Sequence, residues 1–306
     1  MPKWTTADIP ALAGTRSVVT GANSGIGWYT ALELARAGSE VILAARSETK
    51  GRDAAERILR EVPEARVRPA ILDLASLASV RAFAALVDRE PRLDLLVNNA
   101  GVMLVPTRRT TADGFELQFG TNFLGPFVLT ALLMPTLRRA AAPRVTTVSS
   151  GAANMGTRRI RFEDLQWVQD YAAWKVYCQT KLADLMFALE LARRCTAAGI
   201  PLTSNAAHPG YARTNLQTSG PGRPLNLTER VFEKLLSQDA FHGALPTLRA
   251  ATAIDAMTGG YYGPDGIFQM RGDPVPIPIT KPAQDERAAR QLWDAAESLT
   301  GATWNF

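Results

Sequence analysis

A chain of 306 residues with 46% hydrophobic and 21% charged side chains is long enough for a large core and excludes a fibrous or disordered protein. The formal net charge of +5 comes from lysines and arginines scattered among acids, and the densest basic runs, Arg138-Arg139 and Arg158-Arg159 with Arg161, lack interleaved aromatics. They read as solvated faces, which argues against a nucleic-acid partner.

Two isolated cysteines, Cys178 and Cys195, and two histidines, His208 and His242, form neither a disulfide framework nor a metal-ligand spacing. That points to a reducing, cytoplasmic location and no metal. The N-terminal MPKWTTADIP has no apolar core of a secretory signal.

In chain order, the apolar run RSVVT (16–20) leads into TGANSGIG (20–27) and a helical pattern over 24–37. In a strand–turn–helix unit one glycine permits the tight turn, another lets the backbone approach a pyrophosphate, and a third lets helix and strand pack closely. The phosphate then rests on the helix N-terminus. A second strand, EVILAA (40–45), ends at Ala45, where an acid would hold a ribose 2′-hydroxyl in an NAD site. Arg46 follows, and its guanidinium suits a 2′-phosphate, so the pattern favours NADP(H) over a merely solvent-facing arginine.

A helix over 49–61, a strand over 66–72, a helix over 76–89 and a strand over 93–98 come next. A long helix over about 113–139 includes the uncharged run FLGPFVLTALLMPTL (123–137), too short for a membrane span and interrupted by two prolines, so it reads as a buried helix. A strand over 143–149 is followed by an excursion, 151–171, then a helix over about 172–198 and a strand over 201–207. Residues 211–258 insert loop and helix before GGYYGPDG; such excursions follow the C-terminal ends of strands, where open α/β sheets bind ligands. The Pro-rich 272–282 and a final helix, about 284–299, then close the chain over the sheet edge. Strict alternation of strand and helix, with strands apolar on both parities, predicts an α/β Rossmann-type, doubly wound parallel sheet of about seven strands. No linker or repeat divides it, so residues 1–306 make one domain.

Inside the 172–198 helix, Tyr177 and Lys181 are four apart and share a face. A free phenol titrates near pH ~10, and a neighbouring ammonium stabilises the phenolate and brings it toward useful acid–base work.

Seven motifs in order carry a resemblance to the short-chain dehydrogenase/reductase family over roughly residues 14–270: TGANSGIG (20–27), Asp73-Leu74, NNAG (98–101), NFLG (122–125), VSS (148–150), YCQTK (177–181) and HPGYART (208–214). YCQTKLADLMF and FEDLQ further resemble the branch of retinol dehydrogenases and related carbonyl reductases. The resemblance implies a tetrad of Asn122, Ser150, Tyr177 and Lys181. Tyr177 would exchange a proton with the substrate oxygen, and Ser150 would hydrogen-bond that oxygen. Lys181 would hold the nicotinamide ribose and tune Tyr177, and Asn122 would support a water leading to Lys181. Ser149 competes with Ser150; the family pattern places the catalytic serine second. Ser150 lies further from Tyr177 than in the shortest members, and the extra residues 151–171 read as an insertion near the substrate mouth.

For NADP(H), the resemblance assigns the pyrophosphate turn to Gly21, Asn23, Ser24, Gly25, Ile26 and Gly27, with Arg46 at the 2′-phosphate. Asp73 and Leu74 fall to the adenine, Asn99, Ala100 and Gly101 to the adenosine ribose, and Pro209, Gly210 and Thr214 to the carboxamide. Asn98 and Asn99 read equally as structural, and Cys178 and His208 as packing residues. The implied activity is interconversion of a carbonyl and an alcohol. Two alternatives carry less: an epimerase or dehydratase of the family's extended branch, whose turn normally reads TGxxGxxG, and a nucleotide-sensing regulator, which usually loses the tyrosine or lysine. Met103, Ala152, Met155, Tyr211, Leu216, Leu225, Leu227, Phe232 and Leu236 would make the substrate pocket apolar, for a hydrophobic ketone or aldehyde. In the family, helices matching 113–139 and 172–198 pair in homodimers or homotetramers; the apolar run serves either that contact or the core.

Overall fold

Runs that are apolar on both parities need cover on two faces, and the fold supplies it. The computed structural model describes residues 3–212 and 237–306. Its strands are β1 (Arg16–Thr20), β2 (Glu40–Ala45), β3 (Val67–Ile71), β4 (Leu95–Asn98), β5 (Arg144–Val148), β6 (Thr203–Ala207), β7 (Tyr261–Pro264) and β8 (Pro274–Pro276). They form one sheet in the order β3-β2-β1-β4-β5-β6-β7-β8, parallel except for the last pair. The order reverses between β1 and β4, which leaves a crevice at their C-terminal ends.

Successive side chains of one strand enter opposite cores. Val18, Ile42, Ala44 and Leu96 join one apolar cluster, and Val19, Val41, Leu43, Leu95 and Val97 join the other. The first is covered by α3 (Leu77–Val87), α4 (Leu117–Leu137) and α5 (Ala173–Ala197), the second by α1 (Gly25–Arg36), α2 (Glu48–Glu61) and α6 (Ala240–Thr252).

The expected sheet is present with one strand more than the seven or so expected, because Pro274–Pro276 pairs antiparallel with β7; two other expectations need correction. Two prolines in three residues withhold backbone donors from any further neighbour, so this strand ends the sheet; Pro69 does the same on the opposite edge strand, β3. The long helix starts at Leu117 rather than near 113, because Thr111 and Phe115 close a tight turn around Gly114. The final helix, α7 (Glu286–Thr300), lies not over the sheet edge but against α5. Its Trp293 meets Phe127 of α4 at 4.9 Å between ring centroids and stacks on Phe187 of α5 at 5.8 Å, with Trp304 closing over both phenylalanines.

By length and apolar composition the continuous helix Leu117–Leu137 reaches what a membrane crossing needs, longer than the 123–137 run alone suggested. Of its apolar window, 83% is buried inside the protein, between α3 and α5.

Candidate active site

The turn between β1 and α1 is shaped by what lies under it. Gly21 takes φ +67°, and a Cβ there would sit 3.0 Å from the Ala100 Cα. A Cβ on Gly27 would lie 2.5 Å from the Gly21 carbonyl oxygen and overlap the Asn99 amide nitrogen. Asn99 in turn donates from Nδ2 to the Thr20 carbonyl at 2.7 Å, and the Thr20 hydroxyl accepts from the Asn99 and Ala100 N–H groups. The turns after β1 and β4 are thereby locked together at the crevice. Ser24 begins α1 with extended backbone and no side-chain cap, so the first-turn N–H groups keep their capacity for an anion.

One cleft of about 390 Å³ runs along this edge. Of the residues expected at the cofactor, Gly21, Asn23, Ser24, Gly25, Ile26, Gly27, Arg46, Asp73, Leu74, Asn99, Ala100, Gly101, Tyr177, Lys181 and Pro209 line it. Arg46 is exposed on its wall, directly after β2. Gly210, at φ +64°, forms the turn beside Pro209, where any side chain would run into the Met270 carbonyl. Thr214 lies outside the described residues, as do Leu216, Leu225, Leu227, Phe232 and Leu236 of the expected substrate wall. The shape and donors of the cleft fit a dinucleotide: a glycine cradle without room for Cβ atoms, an uncapped helix N-terminus and a free-standing guanidinium.

At the far end the expected tetrad residues converge. Tyr177 and Lys181 project from α5, and the Lys181 Nζ stands 5.9 Å from the centroid of the Tyr177 ring. Ser150 caps the short 3-10 turn Gly151–Asn154, its Oγ accepting from the Ala152 N–H at 3.2 Å, and its side chain is near enough to Tyr177 to favour the phenolate. Ser149 lines the cleft, but its hydroxyl is spent: buried, it donates to the Lys181 carbonyl at 2.7 Å, fastening α5 to β5. Asn122 sits in a π-helical turn, Gly120–Leu124, within α4, a distortion that often marks functional sites. Its Nδ2 donates to the Val102 carbonyl at 2.9 Å and to the Thr180 hydroxyl at 3.1 Å, and its Oδ1 accepts from the Val102 N–H at 2.7 Å. Both amide donors are therefore spent, leaving one Oδ1 lone pair for a water.

Burial pushes the Tyr177 phenol above its ordinary value; Lys181 and Ser150 pull it down, while Asp184 and Cys178 push it further up. The lowering expected from Lys181 is thus present but outweighed, since a phenolate loses more hydration in this pocket than one ammonium restores. Burial lowers the Lys181 ammonium, yet Asp184 and Tyr177 raise it to a net upward shift. Burial holds His208 neutral, its pKa pushed down to about 4. Its Nε2 meets Gln269 Oε1 at 3.2 Å and its Nδ1 accepts from the Gly210 N–H, the structural role the sequence suggested. Asn98 is structural too, donating to the Thr130 hydroxyl inside the core.

The expected substrate side is apolar. Ala152, Tyr177 and Cys178 form a small cluster with Met103 against it, while Met155 and Tyr211 are exposed. The 151–171 excursion is bolted to the segment after β4: Gln166 Oε1 accepts from the Glu116 N–H, Tyr171 donates to the Val105 carbonyl, and Gln118 donates to the Ala173 carbonyl. Sequence reasoning missed this brace, and it missed Gln238, whose Nε2 donates to the Pro209 carbonyl at 2.7 Å and steadies that turn. It also missed Asp184, whose only signal was its place seven residues after Tyr177 on the same helix face.

A family model described as short chain dehydrogenase matches residues 16–162. Retinol dehydrogenase 13 from Homo sapiens is 42% identical over 302 residues, covering 95% of this chain and 86% of that protein. A crystal structure of an uncharacterized protein from Mycobacterium paratuberculosis is 43% identical, covers all of both chains and superposes with a TM-score of 0.83. A short chain dehydrogenase from Shigella flexneri, solved in complex with NADP, is 26% identical over 82% of this chain and 97% of its own, with a TM-score of 0.62.

Proposed function

The chain belongs to the short-chain dehydrogenase/reductase family of oxidoreductases, and from that premise we propose that it interconverts a hydrophobic ketone or aldehyde and its alcohol with NADP(H). The observation that carries this reading is that Tyr177 and Lys181, with Ser150 close to the Tyr177 phenol, line the same cleft as the glycine cradle and Arg46.

The dinucleotide, when bound, supplies the hydride chemistry. The protein's own residues do the rest. The uncapped N-terminus of α1 receives the pyrophosphate, and Arg46 receives the 2′-phosphate by charge and forked geometry. In reduction, Tyr177 gives its phenolic proton to the substrate oxygen while Ser150 holds that oxygen by a hydrogen bond. Lys181 holds the nicotinamide ribose and stabilises the phenolate that Tyr177 becomes. Asn122 positions Val102 and Thr180 around this group and lends one lone pair to a water. Met103, Ala152 and Cys178 beside Tyr177 favour an apolar substrate over a polyol or a short acid. Two buried, unpaired thiols agree with a cytoplasmic placement.

The test is oxidation of NADPH and NADH against a panel of aryl and alkyl ketones, aldehydes and polyols, with wild type beside Tyr177→Phe. NADPH-linked turnover of apolar carbonyls that falls about 10²–10⁴-fold in the variant is expected. Preference for NADH, or for polyols, would sink the corresponding part of the reading. NADPH binding without turnover on any carbonyl would favour a sensor.

A further inference from the structure

Lys181 does not face the cleft alone. Its ammonium has three N–H donors. One goes to the Val148 carbonyl at 3.0 Å and another to Asp184 Oδ2 at 2.8 Å, leaving one for the cleft that Lys181 lines. Both charged side chains are buried, Lys181 at 6% and Asp184 at 3% exposure, so neither can exchange its partner for water. Tyr177, Lys181 and Asp184 stand at i, i+4 and i+7 on α5, one continuous face two turns long. Asp184 takes no part in lining the cleft, so it meets the site only through Lys181 and through its field.

We propose that Asp184 is a positioning residue that acts through Lys181: it anchors the ammonium with one donor aimed at the cleft, and its negative charge opposes the pull that Lys181 exerts on Tyr177. The inference rests on the proposed acid–base role of Tyr177, but its physical content, the coupling of three charges on one helix face, does not need turnover to be read.

Among the described residues, the ionisable groups around the pair come from two elements. Tyr177, Cys178 and Lys181 share α5 with Asp184, and Tyr261 on β7 lies within electrostatic reach of Tyr177. Burial raises the Asp184 carboxyl to about 6 against the opposing effect of Lys181, so it is ionised throughout the alkaline range where phenols titrate. Burial likewise raises Cys178, to about 12, so it stays neutral through most of that range. Burial also raises Tyr261 well above an ordinary phenol. In the field at Tyr177, Asp184 opposes the phenolate and Lys181 favours it. Removing the carboxylate charge while keeping the shape takes away the anion that opposes the phenolate; it also lowers Lys181, which loses the partner that raised it, so the Tyr177 step reads the net of the two, and the proposal requires that net to be downward.

The experiment uses the full chain as wild type and Asp184→Asn, each with and without Tyr177→Phe, after thermal melts show all four folded. Tyrosinate is followed by its ultraviolet absorbance as pH rises. Subtracting the titration of each Tyr177→Phe protein from that of its tyrosine-bearing parent isolates the Tyr177 step. With Asp184→Asn that step should move down by about one pH unit or more. Where wild type unfolds in alkali before its own step, a native-range step in the variant reads the same way. A step at the same or higher pH, or none in either protein before unfolding, overturns the proposal. If Asp184→Asn is itself unfolded, Asp184→Glu, which keeps the charge, must restore the fold and leave the wild-type step in place; a shifted step there also counts against it.

The parallel measurement is the pH profile of NADP-linked alcohol oxidation. Its acidic limb should move down in Asp184→Asn, whereas a purely structural role would scale the profile without moving it. Absence of wild-type turnover would fail the functional reading while the tyrosinate titration still decides the role of Asp184.

Discussion

Gly27→Ala offers the sharpest test of how the crevice is built. The added Cβ would fall 2.5 Å from the Gly21 carbonyl oxygen, 0.9 Å inside the 3.4 Å of ordinary contact. Gly21 has little room on the side of Ala100, where even a Cβ of its own would come within 3.0 Å of the Ala100 Cα. The other obstacle is the Asn99 amide, and moving it breaks the 2.7 Å bond to the Thr20 carbonyl that ties β1 to β4. Overpacking costs about 1–3 kcal/mol and the lost hydrogen bond about 1 kcal/mol, so the variant should lose about 2–4 kcal/mol. At about 2–4 °C per kcal/mol for a chain of this size, Tm should fall by roughly 5–15 °C. The same shift moves the α1 N-terminus that receives the pyrophosphate, so NADPH affinity should fall by at least about tenfold, the equivalent of ~1.4 kcal/mol. Gly151→Ala, where the new Cβ meets nothing within 4 Å, is the control for stability and should stay within about 0.5 kcal/mol of wild type. Thermal melts with and without NADPH, and fluorescence titration of the cofactor, read both effects. A Gly27→Ala protein that melts within about 1 °C of wild type and binds NADPH equally well would refute this account of the turn.

Two further outcomes are expected. Arg46→Ala should weaken NADPH about tenfold while leaving NADH affinity unchanged, the low end for a charged hydrogen bond because Arg46 is exposed and screened; equal losses for both cofactors, by fluorescence titration, would remove Arg46 from the 2′-phosphate. His208 is buried with its pKa pushed down to about 4, so between about pH 6.5 and 4 the unfolded chain binds a proton that the folded chain refuses, and stability falls as pH drops through that window. Denaturant unfolding at pH ~7.5 and ~4.5 should therefore show wild type losing about 2–3 kcal/mol more than His208→Asn, and equal losses would mean His208 is not the buried neutral group described.

The Rossmann-type order was legible from the chain alone, because alternation of short, doubly apolar strands with helices has few solutions once crossovers must be right-handed and parallel. So was the crevice: TGANSGIG, Asp73 and NNAG mark the C-terminal ends of β1, β3 and β4, and the structure places all three on one cleft. Tyr177 and Lys181 were legible because helical spacing is local. The rest depended on which distant groups came to share a volume. Pro274–Pro276 became a strand because β7 presented an open edge, and α7 left the sheet edge because Phe127 and Phe187 offered Trp293 an aromatic seat. Ser149 and Ser150 are alike in sequence and parted only when one hydroxyl met the Lys181 carbonyl and the other side chain came to lie near Tyr177. The same holds for the phenol. Spacing puts an ammonium beside Tyr177, but the net direction of its pKa follows from burial and from Asp184, and desolvation is a property of the folded volume, not of any short stretch of chain.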